Sequence, residues 1–308
     1  MKLKFLKLVL PCLASLACLT GCGSDPNDID FSKDTYQGTY YNGYDLKLKG
    51  SALQSELQRL MFDTHSVFVT YKDYKTYASF TGGHMSTEAA PEEVETLKRN
   101  EYFYTGKRNT GVGTREHVWP CANSAGLWVH DEGTVHYVDG NNYRGGGSDL
   151  YHVRPSTSSV NTARGNSTFV DFDDSEFAGI KNEVIEVGDG GPYKLKIQGY
   201  DSAKQFAKKA EPADEFKGDI ARILVYVWVH YSYCGKYYNQ KDMIGNLSLT
   251  SVMGYGPNQR RVYEKLKAWN EEDPPSEIEM LRNNTVEKIQ GNRNPFVDHP
   301  TLMRTLLR

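Results

Sequence analysis

The chain has 308 residues, of which 39% are hydrophobic and 24% are charged, and its formal net charge is −3. This composition is typical of a globular protein. The sequence has no repeat of about 20 to 50 residues and no long low-complexity run, which excludes a repeat protein or a low-complexity chain. The length permits two domains, but it is also sufficient for one large domain.

The first segment of the chain has the pattern of an export signal. Lysines precede an apolar run, Leu8–Leu19, that is too short to span a bilayer. The run ends in Leu19-Thr20-Gly21-Cys22, which resembles the lipobox of bacterial lipoproteins. This resemblance implies cleavage before Cys22 and a lipid on its sulfur. A plain secretory peptide is the alternative interpretation.

The rest of the chain is predicted to be a tether followed by one domain. Residues 22–34 are polar, which is typical of a flexible tether, and residues 35–308 form the domain. Cleavage of residues 1–21 removes three lysines and no acidic residue, so the net charge changes from −3 to −6. This charge argues mildly against non-specific nucleic-acid binding, but a local basic patch can still provide it. The domain retains Cys121 and Cys234, which can form a disulfide or stay as buried thiols.

Apolar residues at helical spacing predict several helices. The segments with this pattern are Gly50–Thr64, Lys217–Tyr233, Arg260–Asn270 and Glu277–Ile289. Of these, Lys217–Tyr233 has the broadest apolar face and is predicted to be buried. A short strand is predicted at Glu101–Thr105.

A strand, a long loop, a second strand and a helix are predicted in the middle of the chain. Arg115–Trp119 is short and β-prone and precedes a proline that suits the end of a strand. Cys121–Gly147 is an irregular loop of a length that usually indicates function or mobility. Leu150–Val153 is the second strand, and Ser156 or Thr157 can cap the helix that follows. The fold class is therefore α+β, a mostly helical single domain around a small sheet.

Three side chains in this region have the chemistry of a phosphodiester hydrolase: Glu116, His117 and Asn161. Such a reaction needs an activated water, neutralisation of the negative charge at the phosphate, and stabilisation of the departing oxygen. A histidine with a pKa near ~6.5 can take a proton from water, and carboxylate and amide oxygens suit Mg²⁺. Because adjacent side chains of a strand point to opposite faces, the strand must end or bend near His117.

Each of these residues also has a purely structural alternative. His117 can be a buried, hydrogen-bonded histidine, Glu116 can pair with the arginine before it, and Asn161 can be a helix cap or turn residue. Asp149 and His152 look like a metal-binding pair, but they are predicted to hold the strand–strand–helix unit together.

The chain resembles bacterial endonuclease I, a family of nucleases with a ββα-metal (His-Me finger) site. The likeness extends in order from about Tyr40 to Arg308. It is carried by the segments Arg115-Glu116-His117-Val118-Trp119-Pro120, Ser148-Asp149-Leu150-Tyr151-His152-Val153-Arg154-Pro155, Val160-Asn161-Thr162-Ala163-Arg164-Gly165-Asn166, Lys217-Gly218-Asp219-Ile220-Ala221-Arg222 and Gln290-Gly291-Asn292-Arg293-Asn294-Pro295-Phe296. Two departures are Cys121, where the family often has lysine, and the unusual loop up to Gly147.

The resemblance implies that His117 is the general base and that Glu116 and Asn161 hold one Mg²⁺ ion, with Mn²⁺ or Ca²⁺ as alternatives. It also implies non-specific cleavage of DNA, and of RNA as well, that leaves 5′-phosphate ends.

Several arginines are candidates to contact the nucleic acid. Arg164 is predicted to bind phosphate because a guanidinium can contact two oxygens at once, with a surface ion pair as the alternative. Arg115 and Arg154 can contact the nucleic-acid backbone or brace carboxylates. Arg144, in the long loop, is predicted to contact a product phosphate.

The sequence therefore predicts an exported, Mg²⁺-dependent endonuclease of broad specificity, anchored through a lipid on Cys22. The anchor places it at the outer membrane, on the periplasmic or cell-surface side, with DNA and RNA as its partners. The alternative is a surface lipoprotein that binds nucleic acid or another polyanion without cutting it.

Overall fold

The structure, a computed structural model, describes residues 30–71, 74, 101–108, 113–120, 145–198, 209–232 and 247–308. The predicted signal peptide and lipid-attachment residue Cys22 lie outside these ranges, as do Cys121, Cys234 and Arg144 of the long loop. Within the described ranges, no helix has both the length and the apolar character that crossing a bilayer requires.

Helices form much of the regular structure. They are α1 (Gly50–Thr64), α2 (Ser158–Arg164), α3 (Asp214–Tyr231), α4 (Gln259–Glu272), α5 (Glu277–Gln290), α6 (Pro295–Asp298) and α7 (Leu302–Leu306), with 3₁₀ helices at Phe31–Lys33, Ser175–Glu183 and Leu249–Ser251. The ends of α5 illustrate how sequence sets these limits. The Ser276 side chain accepts the N–H of Glu279 at the start of the helix. Gly291 ends it with a φ of +88°, which favours glycine.

The strands are short and form three small sheets in the described ranges. They are β1 (Glu101–Tyr102), β2 (Lys107–Arg108), β3 (Thr114–His117), β4 (Val153–Ser156), β5 (Thr168–Phe169), β6 (Val184–Val187), β7 (Leu195–Gln198) and β8 (Lys209–Glu211). β1 pairs with β2 and β3 with β4, both antiparallel. The third sheet has the order β5-β8-β7-β6, in which only β5 and β8 are parallel.

The helix α3 lies at the centre of the hydrophobic core. Its residues are buried on nearly every side, as expected for a helix with a broad apolar face. α1 packs against it through leucines such as Leu53 and Leu57, and α4 contributes the fully buried Trp269. Asp214 and Glu215 occupy the first turn of α3, where the helix dipole favours negative charge.

The four predicted helices are confirmed, with ends that differ by no more than three residues. The second predicted strand is shifted, because Leu150–Val153 is mostly a turn and β4 begins only at Val153. The cause is Asp149, whose carbonyl accepts the N–H of His152 at 3.1 Å and whose side chain accepts that of Tyr151 at 2.7 Å. An aspartate that bonds the nearby backbone in this way favours a turn over a strand.

The sheet of β5 to β8 had no sequence prediction. Its strands have two to four residues each, which is too few for an alternating apolar pattern to emerge. Half of β6 is exposed, including Ile185, so burial does not mark this strand in the sequence either.

The segment before α1 is fastened to the C-terminal helices. The N–H of Asp30 donates to Thr301 at 3.1 Å, and the N–H of Thr35 donates to the carbonyl of Asp298 at 2.8 Å. Between them, the Asp34 carboxylate lies 2.9 Å from a ring nitrogen of His299. Contacts with the domain therefore begin inside the predicted tether, at its last residues.

A buried pair of histidines joins α1 to α3. Nδ1 of His65 lies 2.9 Å from Nε2 of His230, and the other His65 nitrogen lies 3.2 Å from the carbonyl of Val67. Since a carbonyl only accepts, Nε2 of His65 carries the proton and Nδ1 accepts from His230. Burial lowers the pKa of His65 to about 4 and that of His230 well below its usual value.

Replacing His65 by asparagine is expected to make the fold less sensitive to acid. The folded pKa of about 4 lies below the usual 6.5, so the unfolded chain binds a proton that the fold excludes. Stability is therefore lost as the pH falls from 6.5 towards 4, by up to about 3 kcal/mol. Urea unfolding at about pH 7 and about pH 4.5 measures this loss in both proteins. An equal acid loss in wild type and His65→Asn contradicts the assignment.

Candidate active site

The strands β3 and β4 and the helix α2 form one strand–strand–helix unit. Glu116 lies opposite Arg154 in the antiparallel register, and His117 lies opposite Val153. The side-chain amide of Asn161, on α2, donates to the Thr114 hydroxyl at 2.8 Å and to a β3 carbonyl at 3.1 Å. These bonds hold the helix against the strand that carries the predicted base.

Glu116 is a buried carboxylate with two positive or donating neighbours. Its Oε1 accepts a hydrogen bond from the Tyr104 hydroxyl at 2.8 Å and lies 3.4 Å from Nη1 of Arg164. Burial raises the pKa of Glu116 to about 7, and Arg164 and Tyr104 offset only part of this rise. The positive charge of Arg164 therefore only partly offsets the effect of burial on this carboxylate.

The donor atoms of the predicted metal ligands fit a hard cation. Both contacts of Glu116 from described residues fall on Oε1, and Asn161 donates through its nitrogen. Among those residues, Glu116 Oε2 and Asn161 Oδ1 accept no hydrogen bond. Oxygens of this kind are the ligands that Mg²⁺ and Ca²⁺ prefer, and a cation beside Glu116 would offset the effect of burial that raises the pKa of this carboxylate.

His117 is half-buried at the end of β3, where the strand stops as the predicted chemistry requires. Its Nε2 lies 2.8 Å from the carbonyl of Gly147, so Nε2 donates and the lone pair lies on Nδ1. The ring stacks on Tyr71 with centroids 5.8 Å apart. Burial, and then the charges of Arg115 and Arg164, lower the pKa of His117 to about 4. The imidazole is therefore neutral at pH 7.

Arg164 is buried inside the unit. Its Nη2 donates to the carbonyl of Val118 at 2.6 Å, and its Nη1 donates to the carbonyl of His117 at 3.2 Å. The guanidinium also lies over the ring of Phe169, 4.6 Å from its centroid. The ion pair with Glu116 is thus an internal one that holds the end of β3, rather than the surface pair considered from sequence. Its predicted contact with phosphate stays a prediction.

The other two arginines of the unit lie on aromatic rings. Arg115 is half-buried, 3.4 Å above the ring centroid of Tyr71, and its Nη1 donates to the Tyr71 carbonyl at 2.8 Å. Arg154 is buried over Phe103, with 4.9 Å between the guanidinium and the ring centroid. Within the described ranges neither arginine forms an ion pair with Glu116. Of the two, Arg115 is the more accessible to a ligand, because Arg154 is only 8% exposed.

Sequence reasoning missed Tyr104, which bonds the Glu116 carboxylate. Tyr104 is fully buried and has a φ of +72°, a left-handed conformation that is unusual for a side chain other than glycine. It lies in a turn after β1, where the sequence predicted a strand through Thr105. Nothing in the local sequence links this tyrosine to a residue twelve positions later.

A second, buried group of metal-binding residue types lies outside the strand–strand–helix unit. Ligand atoms of His65, Asp149 and His230 all lie within 4.8 Å of one another. The two Asp149 oxygens already accept four hydrogen bonds, two of them from the hydroxyls of Tyr226 and Tyr231 at 2.7 and 2.6 Å. A carboxylate has about four such lone-pair positions, so this group is satisfied without an ion. Asp149 is thus a structural residue, but its side chain joins the turn before β4 to α3 and α5, rather than holding the strand–strand–helix unit together as predicted.

The chain belongs to the endonuclease I family. The family model for endonuclease I matches residues 48–301, which include every element of the strand–strand–helix unit. By family the protein is a nuclease, and a nuclease hydrolyses phosphodiesters.

Individual relatives agree with this assignment. The protein named "Extracellular ribonuclease" of Bacillus subtilis strain 168 is 33% identical over 268 residues, which cover 85% of this chain and 76% of the relative. Its namesake in Bacillus amyloliquefaciens is 32% identical over 270 residues, 85% of this chain and 75% of that protein. "Endonuclease-1" of Buchnera aphidicola subsp. Baizongia pistaciae is 26% identical over 205 residues, 64% of this chain and 67% of the relative.

Replacing Glu116 by glutamine is expected to stabilise the metal-free fold. The folded pKa of about 7 exceeds the usual 4.5, so the fold binds a proton more tightly than the unfolded chain and loses stability as the pH rises from 4.5 to 7. Glutamine carries no charge, so at about pH 8 the variant should gain about 1 to 3 kcal/mol. Urea unfolding in EDTA measures this gain, and a less stable Glu116→Gln protein at that pH contradicts it.

Proposed function

We propose that the protein is an exported endonuclease that hydrolyses RNA and DNA with His117 as general base and one Mg²⁺ ion held by Glu116 and Asn161. Family membership supports the reaction class. The observation that carries the assignment of residues is the hydrogen bond from His117 Nε2 to Gly147, which leaves the lone pair of a neutral imidazole on Nδ1. The same strand–strand–helix unit carries the two oxygen ligands, as a ββα-metal site requires.

In this mechanism His117 takes the proton of the attacking water through Nδ1. Its lowered pKa keeps the ring unprotonated at neutral pH, which is the form that can accept a proton. Glu116 and Asn161 would hold the ion through their side-chain oxygens. When bound, the ion supplies charge neutralisation at the phosphate and at the departing oxygen. The product then keeps its phosphate on the 5′ end.

In this proposal arginines orient the metal-binding carboxylate and contact the nucleic acid. Arg164 orients Glu116 through their buried ion pair and remains the predicted phosphate contact of the reaction. Arg115, half-buried beside the base, contacts the nucleic-acid backbone, with Arg154 and Arg144 as further predicted contacts. Contacts of this type do not read sequence, which agrees with broad specificity.

The substrate and location are proposed from the relatives and the N-terminus. Two relatives carry the name "Extracellular ribonuclease", which supports activity on RNA. A third carries the name "Endonuclease-1", which supports endonuclease activity, and DNA is proposed as a substrate from the resemblance to endonuclease I. The name of the first two and the export pattern of residues 1–21 support secretion. The lipobox-like segment supports retention at the membrane through a lipid on Cys22.

The direct test is cleavage of plasmid DNA and of RNA by the purified mature protein. We expect both to be cut in Mg²⁺ and neither in EDTA, with 5′-phosphate ends on the products. Binding of both nucleic acids without cutting, in Mg²⁺, Mn²⁺ or Ca²⁺, supports instead the non-catalytic polyanion-binding lipoprotein.

The change His117→Ala is expected to lower kcat by about 10²- to 10⁴-fold, the usual contribution of a positioned general base. The fold and the affinity for Mn²⁺ should be unaffected, because the ligand oxygens come from other residues. Circular dichroism and Mn²⁺ titration are the controls. A variant that cuts at the wild-type rate rules out His117 as the base.

The change Tyr104→Phe is expected to weaken Mn²⁺ binding by about 10- to 100-fold, because residues that orient a metal ligand contribute this much. The hydroxyl that it removes donates to Oε1 of Glu116 and would orient the carboxylate for binding the ion. Calorimetric titration with Mn²⁺ measures the effect without reference to cleavage. Tyr74→Phe, which loses a buried hydroxyl bonded to the Val153 carbonyl, is the matched control and should bind Mn²⁺ normally.

A further inference from the structure

Both ring nitrogens of His152 are hydrogen-bonded, and they connect two backbone segments. The N–H of Trp119 donates to Nε2 at 2.9 Å, and Nδ1 lies 2.5 Å from the carbonyl of Gly146. Only a neutral ring with its proton on Nδ1 satisfies both partners, since an amide only donates and a carbonyl only accepts. The side chain is fully buried, and burial lowers its pKa to about 3, so this is the form present at neutral pH.

Together with the hydrogen bond of His117, these bonds form a closed chain of contacts around the proposed base. Gly146 precedes Gly147, whose carbonyl accepts from His117, and Trp119 follows His117 by two positions in the chain. The His117 ring is hydrogen-bonded to Gly147, and Gly147 is joined by the backbone to Gly146, which is hydrogen-bonded to the His152 ring. The His152 ring is in turn hydrogen-bonded to the N–H of Trp119, and the backbone leads from Trp119 back to His117. The rings of His117 and His152 have centroids 5.7 Å apart, so His152 acts on the base through the backbone between them.

The carbonyl that holds the base belongs to a segment with little stiffness of its own. Gly145, Gly146 and Gly147 are consecutive, and Gly145 has a φ of +102°. Glycines have more conformational freedom than any other residue, so such a segment does not keep one carbonyl direction unaided. Ser148 fixes the Gly145 carbonyl, to which its N–H donates at 3.0 Å. The hydrogen bond from His152 to Gly146 limits the freedom of the next peptide, adjacent to the one that contacts His117.

We propose that His152 is a positioning residue for the general base. It fixes the Gly146–Gly147 backbone so that the Gly147 carbonyl keeps the His117 proton on Nε2 and the lone pair on Nδ1. This role rests on the proposed function of His117 and adds to it a residue that touches neither the substrate nor the ion.

Two substitutions separate this role from simple packing. In His152→Asn, the amide occupies the place of Nδ1 and can still donate to Gly146, but the bond from Trp119 is lost. In His152→Gln, the amide reaches the place of Nε2 and can accept from Trp119, but the donor to Gly146 is lost. Both variants remove an aromatic ring of the same size from the same buried position.

The first measurement is the tautomer of His117, from ¹⁵N NMR of the full mature protein without metal. Wild type and His152→Asn should show mainly the Nε2–H form, and His152→Gln should show a mixture of the two forms. The second is kinetic. His152→Gln should lose about tenfold or more in kcat, as expected for a displaced catalytic group, with KM and Mn²⁺ affinity close to wild type. His152→Asn should lose clearly less.

The control for an effect of lost stability is His299→Gln, which replaces a buried histidine of the C-terminal segment. This variant should lose stability without a change in the His117 tautomer or in kcat. The proposal is overturned if His117 keeps its Nε2 proton in both His152 variants, or if their kcat values fall equally and in proportion to lost stability. The NMR result does not depend on cleavage, so an inactive wild type counts against the proposed function and not against the positioning role.

Discussion

A carboxylate that is removed from water needs positive charge beside it, and the candidate site is arranged around this need at Glu116. Arg164 supplies part of the charge from α2 and at the same time binds the carbonyls at the end of β3. The remainder is missing, which is why burial still raises the pKa of Glu116 to about 7. One residue therefore joins the helix to the strand and leaves a deficit that a cation can fill, at some cost to the stability of the metal-free fold.

The side chains of the proposed base and of the proposed metal ligand have different hydrogen-bond partners, although Arg164 lies near both. Tyr104 and Arg164 act on the carboxylate, whereas Gly147 and, through the backbone, His152 act on the imidazole. The separation allows the two groups to be adjacent in the chain and still have different environments: the pKa of the carboxyl is raised and that of the imidazole is lowered. Paired groups whose pKa values are shifted in this way are common at catalytic sites.

Local patterns accounted for the parts of the fold that depend on neighbours in the chain. Helices such as α1 and α5 follow from apolar spacing and from end signals such as Ser276 and Gly291, and their predictions are confirmed. β4 was displaced by the turn at Asp149, which forms because α3 and α5 supply tyrosine and glutamine partners for that carboxylate. The short strands of the four-stranded sheet have no pattern of their own, and β5 joins this sheet only by pairing with the distant β8, at Thr168 and Lys209.

The sequence by itself determined the family, the order of strand, loop, strand and helix, and the residue types available for hydrolysis, because these depend on motifs that are continuous in the chain. Only the tertiary structure decided which atoms of those residues are available. The tautomer of His117 depends on a carbonyl thirty positions away, and the oxygen that Glu116 can offer depends on Tyr104 and Arg164. Hydrogen-bond direction and burial arise only when distant segments pack together, and no local pattern encodes them.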